Sequence, residues 1–358
     1  MRVLITDFQA DAGFEREVLP GVEVDALLSL IGHPPTPADL VRAVEERPAE
    51  ILITWYEMFF DAPTLVALSR AGVRGIVRAG VGYDNIDVRA AITAGITVCY
   101  VPDYGTDEVA DHAMALLLWC LRDLGAALPT ATRPEAWWDA TRFASIQRLQ
   151  GSTLALLGFG RIGQATARRA QSFGLNVRWY DPYVPRGQDK VTRTTRVESL
   201  PDLLQGCDAL SIHCSLTDET RHMIDASALV LLPPHAVVVN TARGPIIDEQ
   251  ALYEALLTGG LAAAAIDVLE HEPPVDNALF DAYLHGELQN LLLTPHVAWY
   301  SQQSARELRR KAAEEAGRLL RLSPRHFLKA EGEGPCSGFA MEQQTVPQET
   351  GLGGASQI

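Results

Sequence analysis

The sequence is short of cysteine, of basic charge and of long apolar runs, and each shortage argues against a class of protein. Its five cysteines, Cys99, Cys120, Cys207, Cys214 and Cys336, are odd in number and lack both the CxxC spacing of a zinc site and the density of a disulfide scaffold. A reducing compartment and no structural metal are expected. Lys plus Arg total 30 against 45 for Asp plus Glu, a formal net charge of -15, which argues against any partner held by neutralising phosphates, nucleic acid above all. The start, MRVLITDFQADAG, runs apolar only over Val3, Leu4 and Ile5 before Asp7. That is no signal-peptide core, and no later stretch has the length to span a bilayer. The expectation is a cytoplasmic protein without a membrane partner.

What is present is enough to build interiors: 47% hydrophobic and 21% charged residues in 358, a length that favours two domains over one. Short β-branched runs alternate with amphipathic stretches almost from end to end, the rhythm of parallel sheets covered by helices. In the first third, strands are predicted at residues 2–6, 50–54, 75–78 and 96–99, with helices at 37–46 and 63–71. A longer helix follows at 106–124, opened by Thr106 and Asp107. Residues 129–150 show no period, and Trp137 with Trp138 read as interface residues. A second series predicts six strands, at 154–157, 177–180, 209–213, 237–240, 263–268 and 291–294. Six is the count of a dinucleotide-binding sheet. Residues 301–322 return to helix, and from 329 the composition turns to Gly, Glu, Gln, Ser and Pro, that of a disordered tail.

Three groups of residues carry chemistry. The string Gly158-Phe159-Gly160-Arg161-Ile162-Gly163 follows the run LALL and opens a helical pattern, so its backbone amides and helix start can meet a pyrophosphate. Asp181, eighteen residues after Gly163 at a strand end, can accept both ribose hydroxyls of NAD and would repel the 2'-phosphate of NADP. Farther on, Thr241-Ala242-Arg243-Gly244 follows VVVN, Asp267 sits in AAAIDVLE, Glu272 in EHEPP, and Pro295-His296 follows LLLT. Strand ends of a doubly wound sheet face the ligand crevice, so Arg243 and His296 can share one substrate. Hydride transfer between nicotinamide and a 2-hydroxy acid needs a base for the hydroxyl proton and a cation on the oxygens. Imidazole suits the first and guanidinium the second, with Glu272 as the acid that supports a charged imidazole. Third, Arg78-Ala79-Gly80-Val81-Gly82-Tyr83-Asp84-Asn85-Ile86-Asp87 follows GIV. Glycines 80 and 82 would let the main chain approach a carboxylate, Arg78 would add a charged contact, and Asn85 and Asp87 read as turn-stabilising residues.

Together GVGYDNID, GFGRIG with Asp181, NTARG, DVLEHEPP and TPHVAWYS resemble the D-isomer-specific 2-hydroxyacid dehydrogenase family over about residues 1–322. The resemblance implies a Rossmann NAD domain, residues 102–297, inserted in a flavodoxin-like substrate domain, residues 1–101 and 298–328. Both are doubly wound α/β units that close on each other. It also implies a homodimer, NAD as cofactor, a small 2-hydroxy or 2-oxo acid as substrate, and Arg243, Glu272 and His296 as the catalytic set. Cys214, Thr241, Ala242 and Asp267 would line the cofactor with the glycine string. RAGVGYDNID, WYDPYV, SIHCSL and HVAWYS look like the branch of the C-terminal binding protein corepressors. By that likeness Trp299 lines the substrate pocket beside Val81 and Gly82, Arg78 meets the substrate carboxylate, and a bulky 2-oxo acid is favoured. The same likeness carries a rival reading, an NAD(H)-sensing scaffold that recruits partners and turns over little.

Overall fold

Runs such as RVLI, ILIT, GIVR, ALSI, VVVN and AAAI are buried along their whole length, as strands covered on both faces must be. In the computed structural model, which describes residues 1–328, they form two separate parallel sheets; the tail read from 329 onward lies outside the described residues. The first sheet holds β1 (Arg2–Ile5), β2 (Glu23–Ala26), β3 (Ile51–Thr54), β4 (Gly75–Arg78) and β5 (Thr97–Tyr100) in the order β2-β1-β3-β4-β5. The second holds β6 (Thr153–Leu157), β7 (Asn176–Tyr180), β8 (Thr195–Arg196), β9 (Ala209–Ile212), β10 (Val237–Asn240), β11 (Ala263–Ile266) and β12 (Leu291–Leu293) in the order β12-β11-β10-β9-β6-β7-β8. Every pairing is parallel. The two orders are the flavodoxin-like and dinucleotide-binding windings, the second extended by one strand.

Two strands depart from the sequence reading. β2, EVDA, and β8, TR, lie at sheet edges with partly exposed residues, so neither shows the continuous apolar run that marks an interior strand. The sheets therefore have five and seven strands rather than four and six. The helix expected at 106–124 stops at Leu121, and residues 129–150, read as aperiodic, include part of the helix Leu124–Thr130 and two short 3-10 turns.

Alternation assigns each face of a sheet its cover. On the small sheet, Leu4, Leu52, Ile76 and Val98 meet Leu40 and Val44 of the helix Pro37–Glu46 and Leu65 and Leu68 of the helix Ala62–Arg70. On the other face, Val3, Ile5, Ile53 and Val77 meet Leu308, Ala312, Ala316 and Leu319 of the helix Gln302–Leu320. The chain thus leaves the small sheet after β5, builds the large one, and returns to close the first core. The helix Thr106–Leu121 instead covers the large sheet, its Met114, Leu117 and Cys120 packing with Leu154, Leu156, Val177 and Val239. Among the described residues no single helix is long and apolar enough to cross a membrane.

Because Leu308 is 1% exposed within that returning core, Leu308→Ala is expected to cost about 2–5 kcal/mol. Urea unfolding checks this as a lower midpoint at unchanged slope; an unmoved midpoint would show that the last helix does not stabilise the small sheet.

Candidate active site

The order of the large sheet reverses between β6 and β9, and there the two turns that follow these strands touch. Gly158 has φ +91°, and a Cβ on it would stand 2.5 Å from the amide nitrogen of Cys214. Gly163 lies so close to the carbonyl of Gly158 that no side chain fits. Gly160 caps the helix Arg161–Ser172, with open space where a Cβ would be. Two glycines close the turn and the third leaves room for a phosphate at a helix start. Arg161 is exposed and Ile162 half-buried beside it. Asp181 ties the turn to the end of β7, accepting from the amides of Phe159 and Tyr183 at 2.9 Å each.

Beside this crevice stand polar atoms that lack a protein partner. Thr241 Oγ1 and His213 Nδ1 are buried without a hydrogen bond, which leaves both able to meet a bound group. Burial pushes the imidazole of His213 down to about 3, leaving it neutral, and pushes the Cys214 thiol up to about 12. Ala242 donates to the buried side chain of Asn240 at 3.0 Å, and Asn240 donates on to the carbonyl of Arg243 at 2.8 Å, which fixes the turn. Glycine turn, helix start, Asp181 and these unpartnered atoms suit a dinucleotide.

Arg243 reaches from that turn across the cleft to the loop after β4, its Nε donating to Asp84 Oδ1 at 2.8 Å. Burial weighs against both charges, yet each outweighs it for the other: Arg243 is held above its ordinary value and the Asp84 carboxyl below its own. Arg78 is 7% exposed, its Nε has no partner, and burial together with Arg243 draws it down to about 10, still charged at neutral pH. Glycines 80 and 82 have a task that the sequence did not show. A Cβ on Gly80 would collide with the guanidinium of Arg78, and one on Gly82 with that of Arg243, so they make room for two cations. Val81 between them is exposed.

His296 sits at φ +51°, a left-handed conformation that histidine tolerates better than most residues. Asp267 holds the loop: its carboxylate accepts from Thr294 Oγ1 at 2.5 Å and from the amides of Val297 and Ala298 at 3.0 Å. Read in the sequence as a cofactor-lining residue, Asp267 is 2% exposed and turned into this loop. His296 Nδ1 meets Glu272 Oε2 at 2.6 Å, while Glu272 Oε1 accepts from the amide of Leu269 at 2.9 Å. With Nδ1 committed to Glu272, Nε2 is the ring nitrogen that could meet a ligand. The backbone of Gly244 packs directly on that of Leu269 and Glu270, so the Arg243 and Glu272 loops form one unit. Trp299 donates from Nε1 to the carbonyl of His296 at 3.1 Å, its ring 6.0 Å from those of Trp55 and Tyr104.

Four residues join the site without having been singled out in the sequence. Tyr56 stacks on His296 with centroids 5.8 Å apart, Asp84 pairs with Arg243, His213 borders the glycine turn, and His112 contacts Thr294 Oγ1 at 3.2 Å. Only the fold juxtaposes them, although Asp84 and His213 lay in strings already marked, GVGYDNID and SIHCSL.

Comparison with known proteins gives one family. The family described as D-isomer specific 2-hydroxyacid dehydrogenase, NAD binding domain, matches residues 114–298. The chain is 41% identical over 246 residues to a D-3-phosphoglycerate dehydrogenase of Methanocaldococcus jannaschii, covering 69% of this chain and 45% of that protein. It is 38% identical over 246 residues to a hydroxypyruvate reductase of Thermotoga maritima, covering 68% of this chain and 77% of that one. Among solved structures, the TT0316 protein of Thermus thermophilus superposes with a TM-score of 0.77 at 31% identity, over 92% of this chain and 100% of that one. The chain thus spans less than half the length of the first relative and most of the second.

Because folding holds His213 neutral down to about pH 3 while the unfolded chain protonates it below about 6.5, the unfolded state binds the extra proton in between. Stability therefore falls as pH drops through that window, by up to about 1.4 kcal/mol per pH unit from this group. In urea titrations between pH 6.5 and 4.5, His213→Gln is expected to lose stability less steeply than wild type; parallel slopes would contradict the burial of a neutral imidazole.

Proposed function

The chain belongs to the D-isomer specific 2-hydroxyacid dehydrogenase family, and from that premise we propose that it interconverts a 2-oxo acid and its D-2-hydroxy acid with NAD as the carrier. The observation that carries this reading is the meeting of Arg243, braced on Asp84, with a His296–Glu272 pair 2.6 Å apart in one cleft. Bound NADH supplies hydride to the carbonyl carbon. Arg243 holds the carboxylate and polarises the carbonyl oxygen, and Arg78 adds a second contact to the carboxylate. His296 delivers a proton from Nε2 to the oxygen as it becomes a hydroxyl, while Glu272 keeps the ring oriented and stabilises its charged form. Residues 1–101 with 298–328 would bind substrate and 102–297 the cofactor, with closure excluding water.

The finer placement, near the corepressor branch, is supported by Trp299 standing among the rings of Trp55, Tyr104 and Tyr300. Against the sensing-scaffold reading stands the complete acid–base set, which a sensor has no use for. A homodimer is supported by the segment after the long helix, where Leu128, Trp137 and Trp138 are 65%, 59% and 91% exposed; side chains of this size are enriched at interfaces. A cytoplasmic setting is supported by the free thiols Cys99, Cys120, Cys207 and Cys214.

NADH oxidation assayed with 2-oxo acids tests the activity. Arg243→Ala is expected to lose about 3–4 kcal/mol of transition-state stabilisation, the loss typical of a preorganised oxyanion donor, while NADH still binds; undiminished turnover would remove Arg243 from this role. Light scattering is expected to give about twice the chain mass of 39.0 kDa, and the double variant Trp137→Ser, Trp138→Ser a smaller species. A wild-type monomer would contradict the dimer.

A further inference from the structure

The small sheet has its own point of reversal, between β1 and β3, where a doubly wound sheet ordinarily opens a ligand crevice. Here Asp7 fills it. Its buried carboxylate accepts from Thr6 Oγ1, Thr54 Oγ1 and the amides of Trp55, Glu57 and Met58. On the opposite side Asn85 donates from Nδ2 to the carbonyls of Trp55 and Met58, at 3.3 and 2.9 Å. The turn Trp55-Tyr56-Glu57-Met58 is clamped between a carboxylate and a carboxamide. Clamping of this quality serves a side chain that must be held in place.

What the turn presents is aromatic. Tyr56 lies parallel to the imidazole of His296, interplanar angle 19°. Phe8, which follows Asp7 at φ +60°, packs on Trp55 and Tyr56 at 4.8 and 5.3 Å. A bulky residue in the left-handed region is strained. Trp55 leads on to Trp299 and Tyr104. The charges around these rings are unequal. Burial, and after it the carboxylates of Glu57, Asp7 and Glu272, hold the Tyr56 hydroxyl above its ordinary value, with Arg78 opposing them. Among the described residues the two guanidiniums, Arg78 and Arg243, have Asp84 as their one bonded carboxylate. One substrate carboxylate completes that balance, and a second anionic group on the substrate's side chain would come up against the Tyr56 ring, stacked on His296, with the Glu272 carboxylate bonded to that same imidazole.

Resting on the activity proposed above, we infer that the cleft selects singly charged 2-oxo acids with a flat aromatic side chain and discriminates against phosphorylated and dicarboxylic ones. Tyr56 is the residue that reads the side chain, and Asp7 is a positioning residue that acts through it. The class of reaction that supplies such an acid is removal of the amino group from an aromatic amino acid.

The test is kcat/KM at saturating NADH for phenylpyruvate, hydroxypyruvate, 2-oxoglutarate and 3-phosphohydroxypyruvate. Phenylpyruvate is expected to exceed each of the others by at least about tenfold. Equal or better turnover of hydroxypyruvate, 2-oxoglutarate or 3-phosphohydroxypyruvate overturns the inference and leaves the activity standing, whereas turnover of none overturns both. Tyr56→Lys is expected to raise the ratio of 2-oxoglutarate to phenylpyruvate by about tenfold or more; an unmoved ratio removes Tyr56 from this role. Asp7→Asn is expected to lower the ratio of phenylpyruvate to hydroxypyruvate, while a purely structural carboxylate would depress both rates alike and keep the ratio.

Discussion

Two guanidiniums, Arg78 buried and Arg243 half-buried, share one cleft with, among the described residues, a single bonded carboxylate, and they set the terms for the rest of this structure. Arg78 and Arg243 repel each other, and burial adds to the cost. The fold offsets this with Asp84, reached across the cleft at 2.8 Å, and with the carbonyls of Ala79 and Ala242. Glycines at 80 and 82 give up their side chains to make room. The arrangement is short of one negative charge, which suits it to the anion proposed as substrate.

The half of the site around His296 follows a different logic, in which every rigid element is borrowed from a neighbour. Asp267 is spent on the loop that carries His296, Glu272 is anchored by the amide of Leu269, and Gly244 fuses the Arg243 turn to the same stretch. A side chain added at Gly244 would therefore disturb cation and acid together. Such coupling suits the proposal that both groups act on one oxygen.

Much of this was legible in the sequence because strand runs and glycine spacing are local signals. VVVN before Arg243 and LALL before Gly158 identify interior strands, and both chemistry-bearing turns sit at their carboxyl ends. The edge strands EVDA and TR gave no such signal, since one face is wet and the other short. Tyr56 and Asp7 were illegible for another reason: their partners, His296 and the Trp55–Met58 turn, are distant in sequence, and only the two sheets and their crossing chain bring them together. Gly80 and Gly82 were recognised as glycines with a purpose, but the purpose depends on where two arginine side chains lie, which spacing does not report.

The account stands on Arg243 and His296 acting as one unit on one substrate. Single-turnover rates of NADH oxidation with a 2-oxo acid, compared for wild type, Arg243→Ala, His296→Ala and the double variant, measure this directly. Groups that act together give strongly non-additive losses, the double variant being little worse than the poorer single one. Losses that add within about 0.5 kcal/mol would mean that the two side chains serve separate events, and the shared site would fall.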